Sequence, residues 1–274
     1  MKYAYLASIF ISLICLPCQA KQEPKITLSF AVVPQQSASK LARLWTPILN
    51  YLTKKSGYQL QFKTAKDIPT FERRVLAGDY DLAYMNPYHY TVYHQKPGYN
   101  ALAKAKNKRI KGIIVVRKNS NLQNLSQLRN KNLAFPSPAA FAATILTQAT
   151  LNQRSIPYTP KYVKSHDSVY RNVAKERFAA GGGVIRTFKN ATPAIREQLR
   201  ILWTTPGYTP HAIAGHPRIP FDILKNIQLA LVTMDQNKQG KNLLKNIKIN
   251  GFEMAHNQDW DDVRKLGIDL LNSK

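Results

Sequence analysis

Cysteine is almost missing from this 274-residue chain: there are two, Cys15 and Cys18, both within the first twenty residues. The remainder has no thiol, which excludes a disulfide framework and any cysteine nucleophile and leaves stability to the core. Acidic residues are the second scarcity. Fifteen Asp and Glu stand against forty Lys and Arg, for a formal net charge of +25. From Leu82 to His166 there is no acid at all, while thirteen Lys and Arg occur. Between Leu82 and Phe221 only Asp167, Glu176 and Glu197 could serve as paired carboxylates for acid–base work.

Other patterns are missing too. The chain has no G-x-S-x-G elbow, no H-E-x-x-H pair and no G-x-G-x-x-G or P-loop run. The pairs His89/His94 and His211/His216 are each five residues apart, a poor fit to one helix face and hence to a metal. No enzyme, metal or cofactor is therefore expected. The basic charge suits nucleic acid, but no RRM, zinc finger or Arg-rich arm is visible. A solvated basic surface, an anionic membrane face or a small anionic ligand fits it equally. After the first twenty residues no apolar run approaches the ~18 residues needed to span a membrane.

What is present begins with an export signal. Lys2 gives a positive start, Tyr3 to Leu16 is apolar, and Cys18-Gln19-Ala20 offers a cleavage site, so residues 1–20 read as a signal peptide. A lipid-anchored cysteine is the alternative, disfavoured because Ile14 and Pro17 precede the two cysteines where a small residue belongs. Export also argues against a nucleic-acid partner. Removing Lys2 with the signal leaves 39 basic and 15 acidic residues, a charge of +24.

The order of elements is that of an α/β protein. Ile26 to Val33 reads as a buried strand. Leu41, Leu44, Trp45, Ile48, Leu49 and Leu52 form one helix face, capped by Ser37 or Ser39 and ended by Gly57, with a kink expected at Pro47. Strands follow at 58–63 and 81–85 around a short helix at 71–77, the grammar of a mostly parallel sheet. The pattern restarts after a strand at 110–116, with a helical stretch at 122–128 and a helix at 138–153. Strands are expected at 132–135, 158–163, 179–184 and 201–204, with a helix at 168–177. A proline cluster (Pro206, Pro210, Pro217, Pro220) marks a change of neighbourhood, and helices are expected at 220–233, 238–245 and 259–271. Two α/β lobes result: 21–112 with 212–274, and 113–211, with a hinge and a cleft between them.

Trp45-Thr46-Pro47-Ile48-Leu49, the stretch Asp81 to Tyr90, Phe135-Pro136-Ser137, Ser165-His166-Asp167 and Ala180-Gly181-Gly182-Gly183 resemble, in order, the phosphate/phosphite/phosphonate-binding proteins of ABC transporters (PhnD-like). The resemblance runs over nearly all of residues 26–271. It implies a type II periplasmic binding-protein fold that closes on an oxyanion without chemistry. It also implies a periplasmic location, a monomer, and an inner-membrane ABC permease as partner. A periplasmic sensor that reports occupancy to a membrane receptor would use the same clamp.

The residues suit that role. Tyr84, Asn86 and Tyr88 follow the third strand, where the family builds a cleft wall, and phenol and amide groups are neutral donors to an oxyanion. They equally suit core packing with polar tips at the rim. Ser137 precedes a helix N-terminus, where backbone N–H groups favour an anion; it also suits a plain N-cap. The resemblance implies further hydroxyls there, which this chain lacks. It places His166 in the cleft, where a partly protonated imidazole would favour an anion. Gly182, within the triple glycine, permits close approach of a ligand or of another segment, and Arg186 can grip an oxyanion bidentately or stand as an exposed positive charge. Family members that bind aminoalkylphosphonates hold the ammonium with carboxylates. Here Phe178 stands where one of those acids belongs, and Ile185-Arg186 follow in place of a second. An anion without a cationic tail is the expected ligand.

Overall fold

The computed structural model describes residues 26–271. The signal peptide expected at residues 1–20, both cysteines and the last three residues lie outside the described residues. Two sheets organise the chain, and each owes its core to strands whose apolar residues are buried on both faces, as parallel sheets require. The first begins with β1 (Thr27–Val32), helix α1 (Ala38–Ser56) and β2 (Gln59–Lys63). It continues with α2 (Ile68–Leu76), β3 (Leu82–Met85), α3 (Pro87–Gln95) and β4 (Asn100–Ala105).

The chain then crosses to the second sheet. This comprises β5 (Gly112–Arg117), β6 (Asn132–Phe135), helix α4 (Leu146–Gln153), β7 (Thr159–Tyr162) and α5 (His166–Ala174). It closes with β8 (Ala180–Val184), α6 (Ile185–Lys189), α7 (Pro193–Arg196) and β9 (Leu199–Thr204). The return brings β10 (Ala212–Gly215), α8 (Phe221–Val232), α9 (Lys238–Asn246), β11 (Phe252–Met254) and α10 (Asp261–Arg264).

Strand order is β11-β4-β10-β3-β1-β2 in the first sheet and β7-β6-β8-β5-β9 in the second. β1 lies parallel to β2 and β3, while the returning β10 inserts antiparallel between β3 and β4. In the second sheet β6 is parallel to β7 and β8, and β5 runs antiparallel to β8 and β9. The two crossings touch: Ile110 and Tyr208 exchange backbone bonds of 2.7 and 2.9 Å. These are two lobes joined by a paired connection, each with strands whose carboxyl ends face a shared cleft.

Local sequence explains most elements. α1 buries Leu41, Trp45, Ile48, Leu49 and Leu52, and Gly57 ends it at φ 86°, with its N–H bonded to Thr53 O. Ser37 stands at its N-cap position without a side-chain bond, and Pro47, on the exposed face, does not interrupt the helix. Several expected elements differ. α3 is a full helix where only a strand end was read; Asn86 caps it and Pro87 occupies its first position. β4 and β11 were missed because Asn-Ala-Leu-Ala-Lys-Ala has little β propensity and Phe-Glu-Met is short. The helix expected at 138–153 starts as a π-turn over Phe141–Ile145. The terminal helix expected at 259–271 stops at Arg264, ahead of Gly267 at φ 59°.

Candidate functional site

Between the sheets, five segments converge. They are the loop after β1, the junction of β3 and α3, the stretch Ala139–Ala143, the start of α6 and the crossing at His211. Two spaces lie among them. One is a cleft cavity of about 660 Å³, walled by Tyr84, Pro210 and His211 from one lobe and by Val184, Ile185 and Arg186 from the other. The second is a recess of about 10 Å³ beside Gln35, Asn86, Ala140, Phe141, His166 and His211. That volume is at the threshold for a single water, so an oxyanion fits only the larger space in this arrangement.

Gln35, which the sequence reading did not single out, is the central side chain. It is buried at 6% exposure, its Oε1 accepts from the Arg186 guanidinium, and its Nε2 stands 3.1 Å from His211 Nε2. Arg186 is donor-only, so it fixes which end of the amide is oxygen. The amide N–H must then donate to His211, which requires a neutral ring with Nε2 unprotonated. Burial, reinforced by the Arg186 charge, holds His211 well below the usual histidine range, so hydrogen bonding and electrostatics agree.

The seven residues singled out from sequence fall in four places. Tyr84 and Arg186 wall the large cavity together, and the guanidinium lies 5.6 Å over the tyrosine ring. Tyr84 also stacks on His211 at 4.9 Å and packs on Trp45 at 4.7 Å. Burial raises its phenol above the ordinary value, partly opposed by Arg186, so it remains a neutral donor. Arg186 has no carboxylate within ion-pair distance among the described residues.

Asn86 and His166 border the recess. Asn86 Oδ1 accepts from His89 N at 2.8 Å, capping α3, and its Nδ2 donates to Ala139 O of the other lobe at 3.1 Å. Its amide is therefore committed on both sides. His166 is 1% exposed; its backbone N donates across the cleft to Gln35 O at 3.0 Å, and its Nδ1 is 3.2 Å from Thr187 Oγ1. The expected partly protonated imidazole is not found. Burial and the nearby Arg186 push His166 down to about 3, so it is neutral at physiological pH.

Ser137 and Gly182 lie behind the site. Ser137 is not an N-cap: Ala140 precedes the π-turn without a side-chain bond, and Ser137 Oγ is buried with no partner among the described residues. Of the two readings of Gly182, close approach to another segment is the one observed. A Cβ there would sit 2.0 Å from Ala143 O and 2.7 Å from the Phe135 ring, and a Cβ added at Gly112 would sit 2.0 Å from Ala142 O. Glycine in β5 and β8 lets the Ala139–Ala143 stretch lie directly on the sheet. Tyr88 is elsewhere: its hydroxyl accepts from Leu271 N at 2.8 Å, in a groove under the C-terminal segment.

Further polar bonds cross the cleft. Gln36 Nε2 donates to Asp167 Oδ1 at 3.4 Å, and Lys40 donates to Asn190 O while lying 3.9 Å from Asp167. Ala139–Ala143 and Val184 also share the apolar core of the first lobe, with Phe141 edge-on to Tyr208 at 5.7 Å. The cleft is therefore bridged by both polar and apolar contacts.

Two α/β lobes, double crossing strands and a bridged cleft define a type II periplasmic binding-protein fold. A family model described as "ABC transporter, phosphonate, periplasmic substrate-binding protein" matches residues 30–260. The chain belongs to that family. Among characterised relatives, the phosphate-import protein PhnD of Mycolicibacterium smegmatis is 26% identical over 94 residues, which is 31% of this chain and only 29% of the relative's length. The fold matches a binding-protein component of an ABC phosphonate transporter from Pseudomonas aeruginosa, with TM-score 0.81 and 12% identity over 89% of this chain and 86% of that one. It also matches PhnD1 from Prochlorococcus marinus in complex with methylphosphonate, with TM-score 0.78 and 20% identity over 88% and 97% of the two chains.

Proposed function

We propose that this protein captures a small phosphorus oxyanion in the interlobe cleft, by lobe closure and without chemistry, and delivers it to an inner-membrane ABC permease. The observation that carries the reading is Arg186: a guanidinium in the cleft wall with an amide and an aromatic ring as neighbours and no carboxylate. A cation so placed favours an anion, because charge-assisted hydrogen bonds are the strong ones. Tyr84 adds a neutral donor on the facing lobe. The lobes hinge at the paired crossings around Ile110 and Tyr208, where few bonds must change.

No Asp or Glu walls the cavity. An ammonium tail would be desolvated there without a counter-charge, which is costly. Phosphate, phosphite and alkylphosphonates are therefore preferred over 2-aminoethylphosphonate. A periplasmic location is supported by membership of a periplasmic substrate-binding family and by the export signal expected at residues 1–20. Titration calorimetry of the mature protein against those four ligands tests the reading. Binding of at least one tailless anion supports it; silence toward all of them overturns it, and tightest binding of the aminoalkyl compound overturns the tail argument alone.

A further inference from the structure

Six cations stand around the cleft cavity with no acidic partner among the described residues: Lys108, Lys111, Arg186, Lys189, Lys245 and Lys248. Arg109, also at the wall, is paired with Asp262 at 2.7 Å. The six come from both lobes. Arg186 and Lys189 lie on α6, Lys111 precedes β5, Lys245 ends α9, and Lys108 and Lys248 lie on the first lobe's loops.

One oxyanion does not account for this arrangement. Its charge is met by Arg186 and one neighbour, leaving the remaining ammonium groups to repel one another across a shared space. Nor does it account for the volume. About 660 Å³ lies within the range of sites that enclose drug-sized ligands, roughly 300–1,000 Å³, whereas a methylphosphonate has only a handful of heavy atoms. Ile110, Val184, Ile185, Pro210 and Ile249 line the same cavity, so an apolar wall accompanies the half-buried Arg186 and the exposed lysines.

We infer that the ligand of this cleft is an organic polyanion, a small molecule bearing at least two phosphate or phosphonate groups separated by a carbon framework. One group lies against Arg186 and Tyr84; another is held by Lys245 and Lys248. The framework covers the isoleucine and proline surface. This inference rests on the proposed anion-binding function and refines its substrate class.

Calorimetry on the mature chain compares methylphosphonate, inorganic triphosphate, fructose 1,6-bisphosphate and glucose 1,6-bisphosphate, the last three separating charge alone from charge on a carbon framework. An organic polyphosphate is expected to bind at least about tenfold tighter than methylphosphonate, with the gap narrowing as salt is raised and exposed charges are screened. Lys245→Gln with Lys248→Gln is expected to remove most of that advantage and to change methylphosphonate affinity less than about twofold. Lys225→Gln with Lys238→Gln, exposed sites on α8 and α9 away from the cavity, makes the same change in net charge and is expected to leave both affinities in place.

Methylphosphonate binding as tightly as every polyanion overturns the inference while leaving the proposed function standing. An equal loss in the remote double variant also overturns it, by assigning the effect to net charge. Triphosphate outranking both organic ligands overturns the carbon framework. Absence of binding by any anion defeats the inference and the proposed function together.

Discussion

The Arg186 guanidinium lies 5.6 Å over the ring of Tyr84, one residue from each lobe, and its N–H donates to Gln35 Oε1 in the same layer. Such a contact contributes on the order of 0.5–2 kcal/mol according to its exposure. Here it also sets the half-buried Arg186 against Tyr84 in the wall of the cavity.

Replacing Arg186 with methionine keeps much of the packing and removes the charge. Anion affinity should fall by about 1.5–3 kcal/mol, the range for a hydrogen bond to a charged group, and the melting temperature should change little. Tyr84→Phe should weaken binding by a smaller amount, since only a neutral donor is lost. Calorimetry beside thermal melts separates the two effects; unchanged affinity in Arg186→Met would remove Arg186 from the site.

Gln35→Glu places a carboxylate where the amide oxygen now faces Arg186. The new charge pair imitates a bound anion and holds the lobes together. Ligand affinity should drop more than about tenfold, because an internal carboxylate competes for the same guanidinium. The melting temperature of the unliganded protein should hold or rise. Unaltered affinity would show that Arg186 serves the ligand from another rotamer.

Gly182→Ala and Gly57→Ala make an instructive pair. The first puts a methyl 2.0 Å from the Ala143 carbonyl, so β8 or the Ala139–Ala143 stretch must shift; about 1–3 kcal/mol or more should be lost in urea titration. The second meets nothing within 4 Å and costs only the strain of φ 86°. Equal losses would mean that the close approach at Gly182 is relieved at no cost.

Acid should weaken the fold before its carboxylates are protonated. His166 is held at about 3 in the folded chain against an ordinary 6.5, and His211 is lowered in the same direction, both chiefly by burial. Between those values the unfolded chain binds protons that the folded chain refuses, so stability is full above about pH 6.5 and declines as pH falls toward 3. The slope is up to about 1.4 kcal/mol per pH unit for each such proton. Asp81 acts lower. Although burial opposes it, bonds from Ser29 and Arg218 hold its carboxyl below 3.8, so its contribution is lost only in stronger acid. Urea midpoints at pH 7 and 5 should differ in the wild type and differ less in His166→Gln, the remainder coming from His211; pH-independent midpoints in the wild type would contradict buried neutral histidines.

Much of this protein was legible in one dimension. The heptad-like spacing of Leu41 to Leu52 with Gly57 behind it places α1 within a few residues, because amphipathic period and cap geometry are local properties. The apolar runs of β1, β3, β5 and β8, and the two-lobe fold that the ordered motifs imply, are legible for the same reason. Tyr84, at a strand's carboxyl end, and Arg186, just past the triple glycine, were singled out from sequence, and the structure sets both at the wall of one cavity.

The rest was decided only by folding. Gln35 and His211 are separated by 176 residues, and nothing local to either shows that an amide would bridge a histidine and an arginine. His166 was expected to titrate because the resemblance places it in a ligand cleft; its neutrality comes from burial between lobes and from the Arg186 charge, both long-range effects. Tyr88 and Tyr84 share a motif, yet α3 begins between them and turns Tyr88 toward Leu271. The sequence by itself determined a strongly basic chain. Which cations would stand unpaired around one cavity was settled by tertiary structure, because pairing depends on distances that only the packed lobes create.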